Sequence, residues 1–216
     1  MASEMVRADG THVCGIILAA GLSRRFGSDK LLHLLSGKPV FSWVLQSACE
    51  SSLDGVVIVG RPELLARVPP TPNVRTVVNP APEIGQSTSI RIGLSALLDQ
   101  STHVLILLAD QPLITPSLID EYVNLANHGS MLACLGSDDY FGPPALFGKK
   151  WFEHLKDIQG DTGARRILLN ERKELQIVKA QFRGQEKDID LKENLPSIEQ
   201  SMHKFQGFIS PSKTLQ

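Results

Sequence analysis

The sequence predicts a three-layer α/β fold built around a mostly parallel sheet. Short β-branched apolar runs that are typical of buried strands alternate with amphipathic stretches along the chain, as in sheets covered by helices on both faces. The composition agrees with this class: 216 residues, of which 42% are apolar and 21% charged, suit one globular domain with a full core.

The predicted elements follow one another as strands and helices. Strands are predicted at 13–19, 55–59, 74–78, 103–109 and 131–135, with weaker candidates at 144–147 and 174–179. Helices are predicted at 40–51, 87–98, 117–127 and 162–170, the third with Pro116 near its first turn. The domain spans 12–202, and the polar ends at 1–11 and 203–216, which lack periodicity, are expected to be flexible tails.

Composition and charge exclude several classes of partner. The formal net charge of -1 gives no footprint for nucleic acid or for an anionic membrane surface. No apolar stretch approaches the roughly 18 residues that a membrane span needs, and no signal core is present at the start, so a cytoplasmic location is expected. Cys14, Cys49 and Cys134 are predicted to be small core residues.

A basic loop marked by glycines follows the first predicted strand in GIILAAGLSRRFGSDK, residues 15–30. Ligands of open parallel sheets bind where strands end, and glycine lets backbone amides approach an anion closely. The small residues 19–21 would let the main chain contact a base or ribose, while Arg25 and Lys30 would neutralise a departing pyrophosphate. The spacing fits neither a Walker loop nor a GxGxxG fingerprint. From the residues alone, a triphosphate site and a solvated basic turn both explain the loop.

Asp110 ends the buried segment HVLILLAD at the same edge of the predicted sheet. A lone buried charge is costly unless a cation or a metal pairs with it. Mg²⁺ prefers one or two carboxylates together with substrate phosphates, so Asp110 is a candidate ligand. A turn or helix cap before Pro112 is the alternative.

A second carboxylate is available in EKDIDLKENL, near the end of the chain. Asp188 and Asp190 alternate there as in a strand, and we expect one on each face, so that one of them points inward. A solvated run of charges explains the same pattern without a metal.

The segment NPAPEIGQSTSIRIGL, residues 79–94, predicts an extended stretch that turns at Gly85 into a helix. The hydroxyls of Ser87, Thr88 and Ser89 are expected to cap this helix, whose N-terminus then faces the site. Capping explains these hydroxyls without any ligand.

The first loop resembles the signature LAAGxSxRxGxxK of the nucleotidyltransferases that act on the molybdenum cofactor. Phe26 departs mildly from that family, which usually has methionine there. Motifs in the same order cover about residues 13–195, and the resemblance implies a Rossmann-like sheet of the nucleotide-diphospho-sugar transferase type. The residues that match the signature are Leu18, Ala19, Ala20, Gly21, Ser23, Arg25, Gly27 and Lys30.

The resemblance also implies roles at the site. Nucleotide contacts are implied for Leu18, Ala19, Ala20, Gly21, Ser23, Arg25, Lys30, Gly85, Ser89 and Asp110. ADQP at 109–112 is similar to the segment in which the aspartate holds Mg²⁺ against the triphosphate. A related DIDTPEDL segment makes Asp190 the second ligand, although this chain has Leu-Lys-Glu-Asn at 191–194 where the family has Thr-Pro-Glu-Asp.

Two later segments are implied on the acceptor side. FGPPALF at 141–147 and GDTGARRIL at 160–168 are similar to the GxPxxF and GDxGAR motifs of the family. Gly142, Asp161 and Arg165 are then candidate acceptor contacts, with Arg165 meeting an anionic pterin phosphate. A simple N-cap followed by a solvent-exposed arginine is the alternative.

The implied function is transfer of CMP from CTP to the phosphate of the molybdenum-pterin cofactor, with release of pyrophosphate. The implied cofactor is Mg²⁺, and the implied catalytic cations are Arg25 and Lys30. Ala19-Ala20, where guanylyl-transferring relatives tend to have Ala-Gly-Gly, favours cytidine. The same chemistry with GTP, or with a sugar or alditol phosphate acceptor, is one alternative. The other is a non-catalytic accessory protein that hands the pterin to a molybdenum hydroxylase. Such a hydroxylase is also the expected recipient of an enzymatic product, and no oligomeric state follows from the sequence.

Overall fold

The computed structural model describes residues 10–23, 25–136 and 140–205. The strands are β1 Val13–Ala19, β2 Leu34–Leu35, β3 Lys38–Pro39, β4 Gly55–Gly60, β5 Val74–Val78, β6 His103–Leu108, β7 Leu132–Gly136, β8 Phe141–Gly148 and β9 Gln176–Lys179. The α-helices are α1 Val40–Glu50, α2 Pro62–Leu65, α3 Gln86–Ser95, α4 Pro116–Asn127, α5 Phe152–Asp157, α6 Arg165–Asn170 and α7 Leu195–Phe205. Short 3₁₀ turns lie at Pro82–Ile84, Lys149–Trp151, Gly160–Thr162 and Lys192–Asn194.

Seven strands form one sheet in the order β5-β4-β1-β6-β8-β7-β9, and β2 pairs with β3 in a separate hairpin. Within the large sheet, neighbouring strands are parallel except that β8 runs antiparallel to β6 and β7. The carboxyl ends of the parallel strands therefore share one edge with the start of β8. This edge is called the C-terminal edge below, and the site lies on it.

The core has two halves because the sheet is covered on both faces. Ile17 and Ala19 of β1 belong to the apolar cluster under α1 and α4, whereas Ile16 and Leu18 belong to the cluster under α3, α5 and α6. All four side chains are buried, as expected for a central parallel strand. The predicted three-layer, mostly parallel α/β fold is confirmed.

The main predicted elements agree with the structure to within three residues at each end. The helix predicted at 162–170 begins later, at Arg165, because a 3₁₀ turn and Gly163, at φ 53°, precede it. Helices α2, α5 and α7 and the small hairpin had not been predicted. Cys14 and Cys134 are buried as predicted, but Cys49 is exposed.

The predicted tails lie mainly outside the described residues, which omit 1–9 and 206–216. Helix α7 continues to Phe205, three residues beyond the predicted domain boundary, and the ring of Phe205 stacks on Phe182 with centroids 4.0 Å apart. Among the helices that the structure describes, none has both the length and the apolar character needed to cross a membrane.

Gly93 sets how closely α3 approaches β1. A Cβ atom at Gly93 would lie 2.6 Å from Cγ2 of Ile16, which is fully buried. Alanine at an open helix position gains about 1 kcal/mol over glycine, but overpacking a core costs about 1–3 kcal/mol. We expect Gly93→Ala to lower the free energy of unfolding in urea by about 1 kcal/mol or more. Ser95→Ala, at an exposed position of the same helix, is the control, and equal stability of the two variants would contradict this packing.

Candidate active site

The loop after β1 folds back on itself so that Lys30 returns to the C-terminal edge. Ser23 and Gly27 have positive φ values of 51° and 76°, and the Ser23 hydroxyl accepts a hydrogen bond from the Lys30 backbone N–H at 3.2 Å. Phe26 is 3% exposed and packs into the core between these turns. An apolar side chain at position 26 therefore anchors the loop, whether it is phenylalanine or methionine.

Four charged side chains meet at this edge although they come from distant parts of the sequence. The ammonium of Lys30 lies 2.7 Å from Oδ2 of Asp110 and 3.3 Å from Oδ1 of Asp190. Arg25 reaches the other oxygen of Asp190 at 3.2 Å. Lys30 is 12% exposed and Arg25 is 75% exposed, so Lys30 forms the inner part of this ion network and Arg25 its outer rim.

The network shifts the proton affinity of its members. Burial lowers the pKa of Lys30, but the adjacent Asp110 and Asp190 carboxylates raise it by more, so the pKa lies above its ordinary value. Partial burial and the negative charges of Asp110 and Asp190 raise the pKa of Asp188. Lys30 is thus held as a cation, while the carboxylates form a site where further positive charge is favourable.

Asp188 and Asp190 both lie beside Asp110, so the expectation of one on each face is wrong. Residues two apart in an extended segment share a face, and here the buried Ile189 between them donates its backbone N–H to the Asp110 carbonyl at 3.0 Å. Carboxylate oxygens of Asp110, Asp188 and Asp190 lie within 4.8 Å of one another. These three residues could hold one divalent cation.

The departure from the family pattern after Asp190 does not disturb its position. The Asn194 side chain accepts hydrogen bonds from the backbone N–H groups of Asp190 and Leu191, at 3.2 and 2.8 Å. This amide closes the turn at the start of the final helical segment. The sequence Leu-Lys-Glu-Asn therefore still fixes Asp190 at the C-terminal edge.

A cavity of about 380 Å³ adjoins the network and brings together most of the predicted site residues. Its volume falls within the range of small-molecule sites, about 300–1,000 Å³. Eleven predicted residues line it: Leu18, Ala20, Gly21, Ser23, Arg25, Lys30, Gly85, Ser89, Asp110, Asp161 and Asp190. Leu22, Leu31, Pro82, Glu83, Gln86 and Leu108 complete the lining.

The far wall of the cavity is the start of α3. Gly85 has a φ of 116°, and a Cβ atom there would lie 2.5 Å from the backbone of Gly160, so the close approach requires glycine. Asp161 accepts the backbone N–H of Gln86 at 3.2 Å. The cap of this helix is thus the remote Asp161, and the expected capping by the hydroxyls of 87–89 is not found.

Ser89 is oriented by the buried side chain of Asn79. The Asn79 amide donates to the hydroxyls of Thr88 and Ser89, each at 2.9 Å, while its oxygen accepts the Ala81 backbone N–H at 2.9 Å. Because the Ser89 oxygen accepts from Asn79, its own O–H remains able to donate into the cavity. Asn79 is the first residue of the NPAPE stretch. A polar residue between a predicted strand and a proline was the sequence signal that could have identified it as the residue that orients Ser89.

Three predicted site residues lie elsewhere. The Ala19 side chain is fully buried in the core under α1 and α4. Gly142 is buried in β8, where a Cβ atom would contact the Tyr140 ring, and it lines neither this cavity nor the next. Arg165, the first residue of α6, lines a second cavity of about 1040 Å³, whereas its partner in the acceptor prediction, Asp161, lines the first.

Arg61 was not identified from the sequence, although it directly follows β4 at the C-terminal edge. Its guanidinium forms an ion pair with Asp29, and the Asp29 carboxylate also accepts the Leu31 backbone N–H at 3.1 Å. Both charged side chains are about four-fifths buried. These contacts hold the backbone on either side of Lys30, so Arg61 is a positioning residue for the ammonium.

Cations on one wall of a cavity and carboxylates beside them are what a protein needs to hold a nucleoside triphosphate with a divalent ion. At the carboxyl edge of a mostly parallel sheet, they define the chain as a nucleotide-binding α/β protein. Residues 15–176 match the MobA-like NTP transferase domain, so the chain belongs to that family of nucleotidyltransferases.

Similar proteins agree with this family. The purine catabolism protein PucB of Bacillus subtilis is 31% identical over 203 residues, which cover 88% of this chain and 98% of PucB. A probable molybdenum cofactor guanylyltransferase of Thermococcus sibiricus is 28% identical, covering 66% of this chain and 72% of that protein. Among solved structures, Rv0371c of Mycobacterium tuberculosis has a TM-score of 0.75 at 20% identity, covering 88% and 99% of the two chains, which shows the shared fold.

We expect Arg61→Gln to weaken binding of a nucleoside triphosphate about 10-fold while leaving binding of the corresponding nucleoside unchanged, because the loss of its ion pair with Asp29 loosens the backbone that holds the Lys30 ammonium at the cavity. Titration calorimetry of both ligands measures the difference. Arg61→Lys should restore part of the affinity.

Arg67→Gln is the matched control, since Arg67 is exposed just after α2 and outside the cavity. Equal triphosphate affinities for the Arg61 and Arg67 variants would show that Arg61 does not position Lys30.

Proposed function

We propose that this protein is a Mg²⁺-dependent cytidylyltransferase that transfers CMP from CTP to the phosphate of the molybdenum-pterin cofactor and releases pyrophosphate. The observation that carries the proposal is the ion network of Arg25, Lys30, Asp110 and Asp190 beside the 380 Å³ cavity. The cations that would bind a triphosphate therefore lie beside the carboxylates that would bind its metal ion.

The chemistry is a single in-line displacement. A phosphate oxygen of the acceptor attacks the α-phosphorus of CTP, a new P–O bond forms, and the bond from the α-phosphorus to the bridging oxygen breaks. The electron pair leaves with pyrophosphate, whose growing charge Lys30 and Arg25 stabilise. Positioning and charge neutralisation carry the catalysis, so no covalent enzyme intermediate is needed.

The carboxylates fit a magnesium ion. Asp110 and Asp190 would hold it, and Asp188 is close enough to contribute a third oxygen, directly or through water. Bound Mg²⁺ would supply the positive charge that brings the α-phosphate beside the aspartates. A divalent ion is also supported by a solved structure of Rv0371c in complex with manganese. That structure matches 79% of this chain with a TM-score of 0.67.

The base is proposed to lie in the part of the cavity lined by Ala20, Gly21 and Ser89, and to be cytosine. Ala20 and Gly21 leave the backbone after β1 open to the base, and the Ser89 hydroxyl on the opposite wall is a fixed donor. The relative from Thermococcus sibiricus carries a guanylyltransferase name, which makes GTP the competing nucleotide. The choice between the two bases is therefore the experiment that separates these activities.

The molybdenum-pterin acceptor is supported by the family and by that same relative. A sugar or alditol phosphate acceptor keeps the same chemistry at the α-phosphorus. A non-catalytic carrier is the other candidate, but a carrier has no use for Lys30 and Asp110 in direct contact beside a nucleotide-sized cavity. We propose that the product passes to a molybdenum hydroxylase in the cytoplasm.

We expect Asp110→Asn to remain folded and to lose Mg²⁺-dependent pyrophosphate release from CTP and molybdenum-pterin by a factor of about 10² to 10³, because one negative charge of the metal site is gone. Thermal unfolding provides a second measurement. In the unmodified protein, CTP with Mg²⁺ at a hundredfold excess over its dissociation constant should add about 2.7 kcal/mol of stability.

Asp99→Asn, an exposed aspartate outside the cavity, is the control and should behave like the unmodified protein. Full turnover by Asp110→Asn would remove Asp110 from the metal site. Absence of turnover in the unmodified protein, with the pterin still bound, would favour the carrier.

We expect the unmodified protein to prefer CTP over GTP in competition assays, and Ser89→Ala to lose part of that preference. Sites built to hydrogen-bond one ligand reject another by leaving polar groups unpaired. The preference is measured as the ratio of kcat/KM values for the two nucleotides with the same acceptor.

Ser87→Ala is the matched control, because Ser87 is fully buried two residues earlier and does not line the cavity. Comparable turnover of GTP by the unmodified protein would overturn the cytidylyl assignment and favour guanylyl transfer. The roles of Lys30, Arg25 and Asp110 would stand, since they act on phosphates that every nucleotide shares.

A further inference from the structure

Lys30 is bonded to the same two carboxylates that are proposed to hold the metal ion. Its ammonium donates to Oδ2 of Asp110 at 2.7 Å and to Oδ1 of Asp190 at 3.3 Å. Oxygens of these two residues belong to the cluster in which Asp188 is the third member. An ammonium group and a divalent ion compete for the same carboxylate lone pairs, and their like charges repel at this distance.

The proposed chemistry gives Lys30 a second partner, the phosphates of the nucleotide. Two of the three N–H donors of its ammonium are directed to Asp110 and Asp190, and the side chain is 12% exposed between them. The positive charge of Lys30 is therefore shared with two carboxylates before any phosphate contacts it. Its full charge is available to a triphosphate only when another cation neutralises those carboxylates.

The structure allows the ammonium to move while the backbone of Lys30 stays in place. The Ser23 hydroxyl accepts the Lys30 backbone N–H, and the preceding residue, Asp29, is held by Arg61. The side chain beyond this fixed point is a flexible four-carbon stem. Lys30 also lines the 380 Å³ cavity, so rotation of the stem can direct the ammonium into the cavity without a change in the loop.

Arg25, the other cation of the loop, is not constrained in this way. Its guanidinium contacts the second oxygen of Asp190 at 3.2 Å, but the side chain is 75% exposed. Ion pairs in contact with solvent contribute little, so Arg25 can turn to a phosphate whether or not a metal ion is bound. The two cations therefore differ in what releases them from the carboxylates.

We propose that Lys30 leaves Asp110 and Asp190 when these carboxylates bind a divalent ion, and that it moves to the phosphates of a nucleoside triphosphate, so that ion and triphosphate bind cooperatively. The identity of the second ligand rests on the proposed function. A divalent ion alone would leave the ammonium without a counter-charge, and a triphosphate alone would have to draw it away from two carboxylates. When both bind, every charge has a partner, and each ligand raises the affinity for the other.

The test is the dissociation constant of CTP, measured by titration calorimetry once with a chelator and once with saturating Mn²⁺. Lys30→Met should weaken CTP binding by a factor of about 2 or less without the ion and by about 10 or more with it. Arg25→Gln should weaken binding by similar factors in the two conditions. Lys173→Met, at an exposed position outside the cavity, is the control and should change neither constant.

Binding of Mn²⁺ without nucleotide, followed by the electron paramagnetic resonance signal of the free ion, is the second measurement. Lys30→Met should bind Mn²⁺ about 10-fold more tightly than the unmodified protein, because no ammonium competes for the carboxylates. Lys30→Gln, whose amide can still donate to Asp110, serves for both comparisons if the methionine variant does not fold. Equal weakening of CTP binding in the two conditions would overturn the proposal, and so would an unchanged affinity for Mn²⁺.

The outcomes for the exchange and for the proposed function can be told apart. If the Lys30 variants weaken CTP binding only when Mn²⁺ is present, but the unmodified protein transfers no nucleotide, the proposed function fails and the exchange holds. If the unmodified protein transfers CMP and the Lys30 variants weaken CTP binding equally with and without the ion, the exchange fails and the proposed chemistry holds.

Discussion

The contact of Lys30 with Asp110 and Asp190 is the interaction on which the site depends. Burying an ammonium group is costly unless opposite charge lies beside it, and here two carboxylates supply that charge. They come from positions 80 and 160 residues later in the chain. The β1 loop, the end of β6 and the segment after β9 must therefore meet for Lys30 to be buried, and the fold and the site are specified together.

The balance of charge in this network explains why it suits a metal and a triphosphate at once. Lys30 and Arg25 face Asp110, Asp188 and Asp190, so the carboxylates exceed the cations by one. A divalent cation reverses that balance and makes the site attractive to phosphates. The carboxylates of Asp110 and Asp190 raise the pKa of Lys30 above its ordinary value, so its side chain contributes a positive charge to the network.

The parts of the molecule that were predictable from the sequence are those set by local pattern. The continuous apolar runs at β1, β4 and β6 identified buried parallel strands, and the motif after β1 identified Lys30 and Arg25 before any contact was known. The cap of α3 was assigned to the wrong residue because Asp161 is 75 residues from Gln86. Arg61 was missed because its role depends on an ion pair with Asp29, and that contact is not visible in the local sequence around either residue. Helix α7 had a readable signal in the spacing of Ile198 and Met202, which are its buried residues.

The antiparallel direction of β8 places the beginning of that strand at the C-terminal edge, beyond β6. Because β8 runs antiparallel between β6 and β7, its first residues, with Tyr140 just before them, lie at the edge where the neighbouring strands end. A wholly parallel sheet would present the end of β8 here, and Tyr140 and Phe141 would lie at the opposite edge. Gln111 then holds Tyr140 and the segment before Asp188 to the strand end that supplies Asp110. The start of β8 and the ends of β7 and β9 thus line a second cavity at the same edge, with Arg165, Arg172, Lys179 and Arg183 around it.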